Sequence, residues 1–267
     1  MRKPTIRTLI PAACCLALAA GAIATAPATA LGSPGPSTIH AVPGAADPST
    51  PPSASPNMVG GHKVTEDVPF IAALHGKEDG KFHCTASIIA PQWILTAKHC
   101  VSDGAAKTFR IGSLTRSSGG QTADSADIQT APGADDAALV KLAKEVKISQ
   151  YAKVGDVGEA KVGVAEHVFG WGYENPDWTN LPENLKTSSG EVKETGCGQG
   201  FGDAFCIHND GETSGGDSGG PAIDDATGNV IGVCSFGHKP TQGDGFGGYQ
   251  TVVSQEVRDW IKQTAGV

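Results

Sequence analysis

The chain has no excess of positive charge and little charge of either sign. It carries 20 Lys and Arg against 28 Asp and Glu, a net charge of −8, and charged residues make up only 18% of the sequence. Without a strong basic field, we expect it to bind neither nucleic acid nor an anionic membrane surface. Because 39% of its residues are hydrophobic, the composition is also not that of an intrinsically disordered chain.

Good helix formers are sparse, whereas glycine is abundant at 36 residues, so long helices and coiled coils are not expected. The seven cysteines are too few for a small disulfide scaffold, and their number is odd. No group of His, Cys and Asp has the spacing of a metal site. We therefore expect many short strands joined by turns, with no metal and no cofactor.

The N-terminal segment has the layout of a secretory signal. A basic start at Arg2 and Lys3 precedes an alanine-rich apolar run that ends in Ala-x-Ala patterns. A membrane anchor is disfavoured because Pro11 interrupts the run and the run is weakly hydrophobic. We expect residues 1–30 to be a signal peptide and the protein to be secreted and extracellular, with no membrane contact after the signal is removed.

Residues 31–57 contain seven prolines together with Ser, Thr, Gly and Ala, so they cannot bury a core. We expect a pro-region or linker there. At Met58 the composition changes, and the remaining 58–267 hold 32 glycines and only seven prolines. The folded domain is therefore expected to span 58–267.

Short apolar runs bounded by turn residues predict strands through this region. The clearest are Phe70–Leu74, Ser87–Ile89, Trp93–Thr96, His167–Phe169, Gly220–Ile223, Val230–Ser235 and Tyr249–Val253. The sequence predicts a helix over Ser254–Thr264, with Ser254 as its N-cap. The segment Asp135–Lys147 suits either a strand or a helix.

Three segments carry side chains suited to nucleophilic catalysis. Ser218 lies among glycines in Gly-Asp-Ser-Gly-Gly-Pro, a loop that can turn tightly and expose a nucleophile. His99 follows an apolar strand in Thr-Ala-Lys-His-Cys, and Asp136 enters the apolar run Ala-Ala-Leu-Val. Taken singly, each segment also fits an interpretation without catalysis. The three would then be a polar loop, a surface histidine and an aspartate that caps a strand or helix.

Together, in the order His99, Asp136, Ser218, these motifs resemble the trypsin/chymotrypsin family of serine endopeptidases. Further similarities are Met58-Val-Gly-Gly, Gly170-Trp-Gly and Val233-Cys-Ser-Phe-Gly, so the resemblance covers nearly all of 58–267. It implies an all-β fold of two six-stranded antiparallel Greek-key barrels with a C-terminal helix. The barrels are expected to divide near residues 145–160.

The resemblance implies a role for each matching residue. Ser218 is expected to be the nucleophile, His99 the general base and then acid, and Asp136 the residue that orients His99. Asp135 fits the motif spacing less well. The backbone N–H groups of Gly216 and Ser218 would form the oxyanion hole.

Two further roles follow from the same resemblance. Asp217 would pair with a new α-amino group at Met58 after the pro-region is cut away, which makes the protein a zymogen. Ser235 and Gly237 would line the edge along which a substrate strand binds by backbone hydrogen bonds.

Of the five cysteines after residue 57, Cys84 and Cys100 enclose 15 residues and can bridge the histidine loop. The resemblance implies a second bridge, Cys197–Cys206. Ser214 stands where the family has a cysteine before the nucleophile, so that family disulfide is absent. Cys234 is then left as a buried free thiol or as the site of an intermolecular disulfide.

The resemblance places Glu212 at the floor of the specificity pocket, beside Thr213 and with Gly237 and Gly247 on the walls. A carboxylate there would favour Arg or Lys in the substrate. The alternative is a non-basic specificity, because the missing disulfide can reshape this loop. Asn57, which precedes the expected activation site, is not basic, so another protease would be needed for maturation.

Two other classes of protein share part of this pattern. The Gly-x-Ser-x-Gly pattern also occurs in α/β-hydrolases, but only 49 residues follow Ser218, too few for the rest of that fold. A catalytically silent secreted binding protein on the protease scaffold would usually lack a triad member. We expect a monomer that acts on protein or peptide substrates and can meet protein inhibitors.

Overall fold

The computed structural model describes residues 59–198, 200–237 and 244–267. Met58, the expected signal peptide and the expected pro-region lie outside the described residues. The elements in chain order are β1 His62–Lys63, β2 Ile71–Gly76, β3 Phe82–Ala90, β4 Trp93–Thr96, β5 Lys107–Ile111, β6 Gln121–Thr130, β7 Ala138–Leu142, β8 Ala165–Gly170, β9 Lys186–Thr195, β10 Ala204–Asn209, β11 Pro221–Asp224, β12 Val230–Phe236, β13 Phe246–Thr251 and α1 Gln255–Ala265.

The strands form two closed antiparallel barrels, which confirms the predicted fold class. The first barrel has the order β2-β3-β4-β7-β6-β5. The second has the order β9-β10-β13-β12-β11-β8 and is closed by pairing between β8 and β9. The short strand β1 joins the second barrel at β9, so the residues just after the expected activation site are held by that barrel.

Strands β4 and β7 are buried on both faces, because one face lines the first barrel and the other meets the second. Ile94 and Val140 are paired and pack inside the first barrel. Leu95 and Leu139 are also paired but pack in the cluster that fills the second barrel. Alternate side chains of a strand point to opposite faces, so this placement requires apolar residues at consecutive positions, such as Ile94-Leu95 and Leu139-Val140, while Lys141 is exposed.

The structure assigns the ambiguous segment to a strand and contains the predicted C-terminal helix. Residues 138–142, within the segment that suits either class, form strand β7 because both faces are buried. The helix α1 begins where predicted, and the Ser254 hydroxyl accepts a hydrogen bond from the Val257 N–H. No helix within the described ranges is long and apolar enough to cross a membrane.

Glu166 is an unusual charged residue inside the second barrel. It lies on β8 and is fully buried, and neither carboxylate oxygen has a hydrogen-bond partner among the described residues. Burial raises the pKa of Glu166 to about 8; the nearby Asn209 side chain opposes this rise, and Asp225 and Asp210 add to it. The residue is therefore mostly protonated at neutral pH.

We predict that Glu166 makes the folded protein less stable as the pH rises from about 4.5 toward 8. The native state retains a proton that the unfolded chain, with an ordinary glutamate pKa, releases in this window. Glu166→Gln should therefore match the wild type near pH 4.5 and exceed it above pH 8 by several kcal/mol, on the order of the linked shift. Urea unfolding across pH measures the difference, and the exposed Glu145→Gln is the control. A difference that does not change with pH would contradict the prediction.

Candidate active site

His99 is held at the end of β4 by a short 3₁₀ helix over Lys98–Cys100. The Cys84–Cys100 disulfide ties this turn to β3. Because the two sulfurs are bonded to each other, they are not free to bind a metal beside the histidine. The His99 side chain is 44% exposed, so one edge of its ring faces solvent.

Asp136 lies directly behind the His99 ring. Its Oδ2 is 2.7 Å from His99 Nδ1, and its Oδ1 accepts a hydrogen bond from the His99 backbone N–H at 2.9 Å. Ser235 Oγ donates to the same Oδ2 at 2.6 Å. A carboxylate at Nδ1 holds the proton there and leaves Nε2 as the nitrogen that can accept one.

The carboxyl group of Asp136 is kept ionised although it is buried. Burial acts to raise its pKa, but the hydrogen bonds from His99 and Ser235 outweigh this and hold the pKa below its ordinary value. Asp135, the poorer match in the sequence, instead accepts hydrogen bonds from Asp203 N–H and the Gln250 side chain.

The Ser218 loop packs against the segment that carries His99. The Ser218 carbonyl accepts from the Thr85 N–H at 2.9 Å, and the Gly216 carbonyl accepts from Thr85 Oγ1 at 2.9 Å. Gly219 has a φ of 79°, and any Cβ there would collide with Thr96, which lies just before the histidine turn. Only glycine fits this close approach.

Ser218 is half-buried, and no hydrogen bond within the described ranges joins its hydroxyl to the His99 ring. His99 Nε2 lies 3.8 Å from Cys100 Sγ. In an unliganded site the bond between nucleophile and base is often long and shortens when substrate binds.

Asp217 is buried beneath this loop. Its carboxylate accepts from the Gly172 N–H at 2.7 Å and from the Ser214 N–H at 2.9 Å. It lies so close to Gly170 and Gly172 that a Cβ on either would collide with it, which explains the Gly-Trp-Gly motif. Burial raises the pKa of Asp217 to about 7, and in the described part of the chain no cation pairs with it.

A cavity of about 450 Å³ lies beside the Ser218 loop; we call it the Thr213 cavity. Its walls are formed by Pro176, Asp177, Trp178, Thr213, Ser214, Gly215, Cys234, Phe236 and Gly237. Two of the predicted pocket residues, Thr213 and Gly237, line this cavity. Gly247 packs behind the wall, since a Cβ there would lie 2.9 Å from Thr213 Oγ1.

Glu212 is 1% exposed and is not among the cavity-lining residues described. One carboxylate oxygen accepts from the Asp244 N–H at 2.9 Å, and the Glu212 N–H donates to the Val59 carbonyl at 3.1 Å. Val59 therefore packs directly against the segment that shapes the cavity.

The second disulfide joins Cys197 to Cys206, and Cys234 is a buried free thiol. Burial raises the pKa of Cys234 well above its ordinary value. A buried thiol cannot reach a second chain, so the free-thiol alternative describes this structure.

Gln250 is a site residue that the sequence analysis missed. It is fully buried on β13, its Oε1 accepts from the Asp136 N–H at 2.8 Å, and its Nε2 donates to Asp135 and to the Asp203 carbonyl. It fixes the backbone of Asp136 from the opposite barrel. A single glutamine in an ordinary strand gives no signal of this role.

The comparisons with known proteins agree with this geometry. The trypsin family model matches residues 58–261, and the chain belongs to that family. It is 27% identical to Serine protease 1 of Drosophila melanogaster, over 75% of this chain and 82% of that protein. It is 26% identical to Trypsin alpha of the same species, over 80% of this chain and 90% of that protein.

The chain is therefore a serine endopeptidase, and its substrates are proteins or peptides. The two disulfides fit a compartment that is oxidising.

Proposed function

We propose that this serine endopeptidase works through a triad of His99, Asp136 and Ser218. The observation that carries the proposal is the Asp136 carboxylate, which holds both the ring Nδ1 and the backbone N–H of His99. With Nδ1 protonated, His99 Nε2 takes the Ser218 proton as the hydroxyl attacks the substrate carbonyl. The same proton then passes to the leaving amine, and water hydrolyses the acyl-enzyme by the reverse sequence.

The proposed oxyanion hole consists of the N–H groups of Gly216 and Ser218. Gly216 has a φ of 102°, a conformation that glycine adopts without strain and that other residues rarely adopt. Thr85 holds the carbonyls of both residues, which fixes the direction of the loop. Preorganised donors of this kind typically contribute about 10²–10³ in rate each.

We predict that a serine-directed phosphonate probe labels the active enzyme and that Ser218→Ala abolishes both labelling and peptide hydrolysis. The reason is that the probe bonds covalently to an activated serine hydroxyl. Mass spectrometry of the labelled protein identifies the site, and Ser149→Ala, an exposed serine elsewhere, is the matched control. Labelling that survives Ser218→Ala would contradict the role given to Ser218, and no labelling at all would favour the silent binding protein.

We also propose that the protein is secreted as a zymogen with a signal at 1–30 and a pro-region at 31–57. Asp217 supports this, because its buried carboxylate has a raised pKa and would be stabilised by a nearby cation. Cleavage before Met58 would create an α-amino group one residue from Val59, which contacts Glu212. The new charge pair would order the Gly216–Ser218 loop.

We predict that N-terminal sequencing of the secreted, active enzyme gives a start at Met58. Asp217→Asn should lower activity while the start stays the same, because the α-amino group then loses its charged partner. The exposed Asp156→Asn serves as a control. A fully active enzyme that starts at Leu31 would contradict the role given to Asp217.

For specificity we propose that Glu212 favours Arg or Lys before the cleaved bond. The support is a buried carboxylate next to Thr213, which lines the cavity. The hydrogen bond from Asp244 draws that carboxylate toward the backbone, and this favours the alternative of a non-basic preference. The two proposals differ in what selects the substrate side chain before the cleaved bond: the Glu212 carboxylate or the walls of the Thr213 cavity.

If Glu212 selects the side chain, peptides with Arg or Lys before the bond should be cut at least about tenfold faster than matched Phe or Leu peptides. Glu212→Gln keeps the size and the acceptor for Asp244 but removes the charge, so it should abolish the preference. Glu256→Gln, on the helix surface, controls for the loss of charge. Faster cleavage of Phe or Leu peptides establishes the non-basic alternative.

A further inference from the structure

A second groove lies on the other side of the Ser218 loop from the Thr213 cavity. It has a volume of about 530 Å³, and its walls include Phe82 and Tyr173. Both residues touch the loop: a Cβ on Gly216 would lie 3.1 Å from Phe82 Cε1, and the Tyr173 N–H donates to the Gly215 carbonyl at 3.0 Å. The groove therefore begins at the proposed oxyanion hole.

A pair of stacked rings separates the groove from the cavity. Tyr173 and Trp178 are nearly parallel, at 6°, with ring centroids 6.1 Å apart. Tyr173 lines the groove and Trp178 lines the Thr213 cavity. The two spaces are thus neighbours on opposite faces of one aromatic wall.

The groove is positively charged, although the whole protein has a net charge of −8. No acidic side chain is among the described residues that line it, and its cationic side chains are Lys77, Lys81, Arg110 and Arg116. We call it the cationic groove. Its charge comes from β2, β5 and their flanking loops, which are distant in the sequence.

Only part of this charge is neutralised by neighbours. Lys77 pairs with Asp124 at 2.9 Å and Arg116 with Glu183 at 3.4 Å, both partners lying outside the groove lining. Within the described ranges, neither Lys81 nor Arg110 forms an ion pair. Arg110 instead donates to the Gly119 carbonyl.

The pKa of His75 is affected by the positive charges around the groove. Burial lowers the pKa of His75, the Ala73 carbonyl opposes this, and the charges of Arg110, Arg116 and His83 lower it further. The guanidinium groups of Arg110 and Arg116, both of which line the groove, thus act on this ring. An anion in the groove would be attracted by the same field.

The direction of the substrate follows from the proposed function, on which this step rests. The acyl part runs along the Ser235–Gly237 edge with its side chain in the Thr213 cavity. Its scissile carbonyl takes the N–H groups of Gly216 and Ser218. The part of the peptide after the cleaved bond then continues past Phe82 into the cationic groove.

We propose that the cationic groove binds an acidic segment of the substrate just after the cleaved bond. The preferred substrates carry Asp or Glu within the first few residues on the leaving-group side. The partner is thus a polypeptide segment with carboxylates, recognised by Lys81, Arg110 and their neighbours through charge complementarity.

The test uses peptides that are identical up to the cleaved bond and differ only after it. One carries Asp at the second and third positions after the bond, one carries Asn at both, and one carries Lys at both. We expect kcat/KM to be about three- to tenfold higher for the Asp peptide than for the Asn peptide, with Lys the poorest. In 0.5 M NaCl the difference should largely disappear, because salt screens exposed charges.

The variant Lys77→Gln/Lys81→Gln removes two exposed charges of the groove and should reduce the Asp-to-Asn ratio by at least half. Lys153→Gln/Lys262→Gln removes two charges elsewhere and should leave the ratio unchanged. A short amide substrate with no residues after the cleaved bond measures the catalytic machinery itself. The kcat/KM of each peptide is compared with that of this short substrate, so that a loss of catalysis is distinguished from a loss of preference.

Three results would overturn the proposal. Equal or faster cleavage of the Asn peptide, while the short substrate is hydrolysed, refutes the groove alone. An equal loss of preference in the control variant refutes its location. Failure to hydrolyse any substrate, short or long, refutes the proposed function and the groove proposal with it.

Discussion

The buried carboxylate of Asp136 is the constraint on which this structure depends. A charge removed from water is costly unless hydrogen bonds replace its hydration. Asp136 obtains those bonds from two sides: His99 belongs to the first barrel and Ser235 to the second. Gln250, also of the second barrel, holds its backbone. The carboxylate is therefore satisfied only when the two barrels are docked, and docking is also what assembles the site.

Much of the fold and of the candidate site could be predicted from the sequence, because the key residues lie in short motifs. All seven predicted strands overlap observed strands, since their apolar runs reflect burial that is local in the sequence. The resemblance to the family motif also favoured Asp136, which contacts His99, over Asp135, which contacts Gln250. The helix start was readable because a serine cap is a local signal.

Other features depend on contacts between distant segments and left no such signal. Strand β6 is largely exposed and polar, so it lacks the alternation that identifies a strand. Arg110 and Thr122 face the same groove only because β5 and β6 pair in one register. The position of Glu212 depends on hydrogen bonds with Asp244 and Val59. Counting residues back from Ser218 along the sequence cannot reveal these contacts.

Cys234 illustrates how burial governs chemistry during folding as well as afterwards. The thiolate is the form that attacks a disulfide, and burial disfavours it strongly at this position. Under oxidising conditions, the five cysteines after residue 57 can form many wrong pairings before the domain is folded. Once β12 is in place, Cys234 is withdrawn from that exchange, and the remaining four cysteines are left to find the two bridges observed. The burial of Cys234 in the second barrel thus also protects the two native bridges from thiol exchange.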